Sequence, residues 1–267
     1  AYAAYAQILE QWEEGNIVTS LRGSPFTYQE YVGDSIENII LALQSGVDGA
    51  YKEEGAVGEV IACFSRQKSE QGPAIVKAVL NLHSEDKPVG IDIAGAPENK
   101  FPPSAFEELF APLKEAGVPI TIHAGEQGKA PDFADAPPIY VRDAVEKLGA
   151  KRIGHGTSAI GDSGLRAFLA EMEIGIEASP LSNDLMGFTP MEQHPIKTFI
   201  NEGLLVTANT DDPLMFGVKG TRDMLEKFGW RMGIYKNDVL QMTRNAIRTA
   251  FISPAKKQAL MEHLQRK

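Results

Sequence analysis

Seven short, β-rich apolar runs recur along this chain, at 17–22, 57–64, 89–94, 119–123, 152–155, 174–178 and 204–209, and a longer helical pattern follows each. That alternation constrains the fold more than any other feature, because βα units repeated in series build a parallel sheet covered by helices. A closed (β/α)8 barrel of about 250 residues needs eight strands. The chain opens on a helix-like stretch at 4–14 rather than on a strand. The expected fold is therefore α/β, a (β/α)8 TIM-barrel type in which strands 2 to 8 are present and strand 1 is missing from the front. Strand spacing marks no internal boundary and no Gly/Ser-rich linker interrupts the pattern, so residues 1–267 are expected to form a single barrel domain, incomplete at its N-terminal end. The Pro- and Asp-rich stretch 128–138 is expected as a loop on the rim where the C-terminal strand ends gather, the face that holds active sites in barrels.

Composition excludes several classes of partner. Twenty-six Lys and Arg stand against 36 Asp and Glu, a net charge of -10 that repels nucleic acid and anionic membranes, and no basic patch offsets it. Cys63 is the single cysteine, so an internal disulfide and a Cys-rich zinc site of the zinc-finger or cytidine-deaminase kind are both impossible. A lone thiol points to a reducing compartment. No apolar run approaches the roughly 20 residues that span a bilayer, and the first residues carry no basic leader, so a cytoplasmic location is expected.

His123, His155 and the pair Asp211-Asp212 each stand at the C-terminal end of an expected strand. In a barrel such ends converge, and Glu126 follows three residues after His123 on the same rim. Each signal alone has an ordinary explanation: an imidazole at a strand end is commonly just a satisfied polar group, and Asp-Asp-Pro is a turn signal. Together they send two imidazoles and three carboxylates to one cavity, a poor way to build a core and a good way to build a metal or acid/base site. The other histidines read as bystanders: His83 closes a surface helix, His194 precedes a proline in a loop, and His263 lies in the charged C-terminal helix.

His123-Ala124-Gly125-Glu126, Arg152-Ile153-Gly154-His155-Gly156-Thr157, Ser179-Pro180-Leu181-Ser182-Asn183 and Asn209-Thr210-Asp211-Asp212-Pro213, in that order, resemble the adenosine deaminase family of the amidohydrolase superfamily. Gly90-Ile91-Asp92-Ile93-Ala94-Gly95 resembles its fourth strand and Leu21-Arg22-Gly23-Ser24-Pro25 its second. The resemblance implies a zinc ion in the barrel mouth that activates a water, with His123 and Asp211 among its ligands. It implies further that Glu126 protonates purine nitrogen 1, that His155 orients the water and either accepts its proton or stabilises its charge, that Asp212 holds nitrogen 7, and that the Gly95 amide meets nitrogen 3. Adenosine or deoxyadenosine would be the substrate, a small purine nucleoside, released as inosine or deoxyinosine with ammonia, the alternative being a related purine such as AMP, adenine or an N6-modified adenine.

The chain departs from the family in lacking a His-x-His pair, which family members bring on the first strand as two more zinc ligands. Both absences, pair and strand, are explained together if roughly 70 to 90 residues carrying strand 1 and a helical lid belong before Ala1. The alternative is a catalytically silent relative that never had the pair. Ser179-Pro180-Leu181-Ser182-Asn183 with Leu214-Met215-Phe216 is also reminiscent of the AMP deaminase branch, whose phosphate calls for a rim cation, and Lys129 and Lys219 are the candidates. An amidohydrolase using a carboxylated lysine on the fourth strand finds no lysine in Ile91-Asp92-Ile93-Ala94.

Overall fold

The computed structural model describes residues 1–126 and 136–265. Seven parallel strands form among them: β1 (Thr19–Gly23), β2 (Gly58–Ser65), β3 (Val89–Ala94), β4 (Thr121–Ala124), β5 (Arg152–His155), β6 (Gly175–Ala178) and β7 (Leu205–Ala208). Each is close to its expected run. The helices between and around them are α1 (Tyr2–Glu13), α2 (Pro25–Val32), α3 (Ile36–Glu54), α4 (Gly72–Leu82), α5 (Glu107–Glu115), α6 (Pro138–Glu146) and α7 (Ser163–Glu171). In the last third they are α8 (Pro180–Leu185), α9 (Ile196–Asn201), α10 (Pro213–Phe216), α11 (Thr221–Phe228), α12 (Lys236–Thr249) and α13 (Pro254–Gln265).

Pairing runs in chain order, β1-β2-β3 and β4-β5-β6-β7, and a parallel bridge between Ile91 and Ile120 joins the two sets. Sequential parallel pairing with helical returns is the winding of a TIM-type barrel. Among the described residues no ladder links β7 to β1; a cavity of about 1410 Å³ lies between them, lined by Thr19, Ser20 and Arg22 on one side and Thr207 to Asn209 on the other. This opening falls where the sequence count is one strand short.

β2, β3 and β4 are buried on both faces over nearly their whole length, so β2 and β3 read as near-continuous apolar runs rather than alternating ones. Ile61, Phe64, Ile91, Ile93, Ile122 and Ile153 fill the interior and the strand–helix interface. Local caps fix the helices: the Ser35 hydroxyl accepts from the Asn38 amide at the start of α3, and Asp162 accepts from Leu165 at the start of α7. No helix among the described residues is long and apolar enough to cross a membrane. The rim loop expected at 128–138 and its Lys129 lie for the most part outside the described residues, which resume at Ala136.

Candidate active site

His123, near the end of β4, is buried, and its Nδ1 lies 2.8 Å from Asp92 Oδ2 on β3 while its backbone N–H donates to Asp92 Oδ1 at 3.1 Å. Burial alone would push Asp92 up, but the charges of His123 and Arg22 outweigh it and hold the carboxyl well below the usual carboxylate range. An ionised Asp92 therefore fixes the His123 ring and leaves Nε2 as its free nitrogen. Gly154, beside it on β5, makes room: a Cβ there would meet His123 Cγ and Nδ1 at 3.0 Å.

His155 closes β5 with its ring centroid 5.2 Å from that of His123. Its Nδ1 lies 3.5 Å from Glu126 Oε1, and its Nε2 3.9 Å from Asp211 Oδ2. His155 at φ 60° and Asp211 at φ 58° both occupy the left-handed region, which few non-glycine residues adopt without compensation from their surroundings. Two strained backbones at two strand ends, aimed at one point, are the local signature of a site. Asp212, adjacent at the start of α10, lines the same cavity, and burial followed by the Asp211 charge pushes its carboxyl up.

The Glu126 segment is clamped from below. Glu98 accepts the backbone N–H groups of Gly125 and Glu126, each at 3.0 Å, so the turn after β4 has one shape. Gly125 stands there at φ 69°, and a Cβ on it would come within 2.3 Å of Ser158 Oγ. Arg66, fully buried, donates to the carbonyls of His123 and Phe101 and ties the end of β4 to the loop that follows β3.

His123, His155, Asp211 and Asp212 thus line one cavity, with Glu126 against His155. Gly95 follows Ala94, which lines the cavity, but is not itself part of the lining. Lys219 lines it too, with its backbone bonded to Gln11 and Asp223. Sequence reasoning missed Asp92 and Glu98 as supports, and it dismissed His194 as a loop bystander. His194 is in fact buried, and its Nε2 lies 3.1 Å from Asn183 Oδ1 while Asn183 Nδ2 lies 3.2 Å from His155 Nδ1. His83 and His263 remain remote, at the end of α4 and on α13.

Fold and cluster define a class, a parallel α/β barrel enzyme with imidazoles and carboxylates gathered at its strand ends. A family model described as Adenosine deaminase matches residues 2–267, and this chain belongs to that family, whose members are hydrolytic deaminases of purines. An adenosine deaminase of Edwardsiella ictaluri is 32% identical over 263 residues, covering 98% of this chain and 76% of the relative. An adenine deaminase of Rhodopseudomonas palustris is 30% identical over 253 residues, 94% of this chain and 70% of the relative. The solved structure of an amidohydrolase from Burkholderia ambifaria with bound Zn superposes with a TM-score of 0.82 at 23% identity, covering 99% of this chain and 74% of that one, which shows the shared fold.

The family is zinc-dependent, and the donor set tests how far these residues suit the ion. A ligating histidine usually rests its second nitrogen on a carboxylate, as His123 does on Asp92. Asp211 presents a carboxylate to the same cavity. A catalytic zinc takes three protein ligands, and among the described residues no group of three or more His, Cys, Asp or Glu could hold a metal. They fit as part of a zinc site and do not make a whole one.

Proposed function

We propose that this chain carries the catalytic residues of a zinc-dependent deaminase that hydrolyses adenosine or 2'-deoxyadenosine to inosine or 2'-deoxyinosine and ammonia. The convergence of His123, His155, Glu126 and Asp211 within one barrel mouth is the observation that carries the reading. His123 and Asp211 would hold the zinc in part, and the ion would supply a water acidic enough to attack near neutral pH. Glu126 delivers a proton to purine nitrogen 1, which drains electrons from the ring and opens carbon 6 to attack. His155, its Nε2 3.9 Å from Asp211 Oδ2, would orient the water and either accept its proton or stabilise the charge that builds on the entering oxygen. Asp212 holds nitrogen 7 and the Gly95 amide meets nitrogen 3, fixing the ring so that carbon 6 faces the water. The amino group leaves as ammonia once a proton reaches it.

A second reading, a deaminase of AMP or of free adenine, draws support from Lys219 in the cavity lining and from the adenine deaminase relative. Ammonia release in zinc-supplemented buffer with adenosine, 2'-deoxyadenosine, adenine and AMP separates the two. The nucleosides should show kcat/KM at least tenfold above the others; a tenfold preference for adenine or AMP overturns the nucleoside assignment.

A further inference from the structure

His194 hydrogen-bonds to no group in the reaction, yet its position fixes one that the proposed reaction uses. The backbone N–H of Ile196 donates to His194 Nδ1 at 3.2 Å. A backbone amide is always a donor, so Nδ1 is an acceptor and the neutral ring must carry its proton on Nε2. The ring is neutral: burial, the largest cause, pushes its pKa down to about 3. Nε2–H then donates to the atom 3.1 Å away, which has to be the Asn183 oxygen. The flipped amide would set an N–H group against a ring nitrogen that already carries a proton, with the ring's one acceptor taken. With the amide so oriented, Asn183 Nδ2 donates to His155 Nδ1 at 3.2 Å. Glu126 Oε1 also faces His155 Nδ1, but at 3.5 Å, beyond good hydrogen-bond length, so the Asn183 donor sets the direction at that nitrogen.

We propose that His194 and Asn183 are positioning residues that hold His155 Nδ1 as a hydrogen-bond acceptor, so that the ring carries its proton on Nε2 and presents an N–H donor, not a lone pair, to the barrel mouth. The inference rests on the reading of this cavity as a deaminase site, and it decides between the two roles that reading leaves to His155. A ring whose Nε2 already bears a proton cannot take one from the attacking water there. It can only donate, toward the region between itself and Asp211 Oδ2, 3.9 Å away, where the entering oxygen would sit. The arrangement also explains why a fully buried asparagine, 0% exposed, stands at this point of α8. Asparagine alone among side chains of that length offers an acceptor at one end and a donor at the other.

The test is the ring 1H–15N correlation spectrum of the full chain with 15N-histidine, recorded at alkaline pH, with His155 assigned by its loss in His155→Gln. His155 should show a protonated Nε2 and an unprotonated Nδ1. Asn183→Asp replaces the donor with an acceptor and should move the proton to Nδ1. His194→Gln can both accept from Ile196 and donate to Asn183 and should keep the native pattern, whereas His194→Leu should give a mixture of both forms. A protonated Nδ1 in the unsubstituted protein overturns the proposal outright, even if no variant folds; so does an unchanged His155 pattern in Asn183→Asp. Neither spectrum needs substrate or turnover. The expected pattern in a chain that deaminates no purine would therefore sink the function and leave the tautomer, and the opposite pattern in an active enzyme would do the reverse.

Discussion

Two regions of the barrel interior are polar, and they are built on opposite rules. Deep in the barrel, charges alternate in a chain of ion pairs. Arg152 reaches Glu59 and Glu177, each at 2.6 Å, Arg22 reaches Glu177 at 2.5 Å, and Arg22 reaches Asp92 at 3.3 Å. Arg152 also stacks on Phe251 at 3.8 Å. Every carboxylate there finds opposite charge, even though Arg22, Arg152 and Glu177 also line the cavity. At the mouth the rule is relaxed: His155 stands 3.5 Å from Glu126 and 3.9 Å from Asp211, both beyond good hydrogen-bond length, on a backbone that is itself strained. The difference teaches where to look for function in such an interior. Satisfied charges hold the wall, and under-satisfied ones with strained backbones are free to meet substrate. Asp92 belongs to both, since it ends that chain of ion pairs against Arg22 and orients His123.

Substitutions should separate the regions. The largest effect is expected at the mouth: Glu126→Gln keeps the shape but cannot protonate the purine ring, so turnover should fall by roughly 10² to 10⁴ or more while inhibitor binding survives. A loss below tenfold in steady-state kinetics would mean that Glu126 is not the acid and would erase the contrast from its functional side. Next comes the chain of ion pairs. Arg152→Met strips both Glu59 and Glu177 of a buried partner and should cost about 3 to 5 kcal/mol in urea unfolding, without a selective effect on binding; a cost under about 1 kcal/mol would show that the chain of ion pairs is no wall at all.

Acid should sharpen the comparison further. Burial opposes ionisation of Glu177, but Arg22 and then Arg152 overcome it and bring its pKa down to about 2. A carboxylate depressed in the folded state contributes stability that is fully present above its unfolded value of about 4.3 and is lost as pH falls toward the folded value. Unfolding free energy should therefore decline between about pH 5 and pH 2, and Glu177→Gln, already destabilised at neutral pH, should flatten that decline. An equally steep decline in the variant would assign the acid sensitivity elsewhere. The smallest effect is expected on the outer rim, where Leu214 is 97% exposed. Leu214→Ser should shift unfolding by less than about 0.5 kcal/mol, and a larger shift would show that it packs against something in solution.

Much of this was legible along the chain because its signals are local. The run at 89–94 coincides with β3, since a strand buried on both faces is a run of mostly apolar residues whatever surrounds it. His123, His155 and Asp211 stood out because a barrel sends strand ends to one place, a rule that needs only the strand count. The supporting residues obey no local rule. Glu59 and Arg152 are 93 residues apart and meet only because β2 and β5 face across the barrel. Glu98 carries no local mark of its role, which comes only from the turn after β4 lying across it. His194 is the sharpest case: before a proline it reads as loop, and only the packing of α8 and the segment before α9 under β5 buries it and aims it at Asn183. Sequence by itself determined the order of the strands and which residues stand at their ends, because periodicity and position are properties of the chain. Tertiary structure decided which nitrogen carries a proton and which charges are answered, because those depend on the distance and the dielectric between groups that the chain keeps far apart.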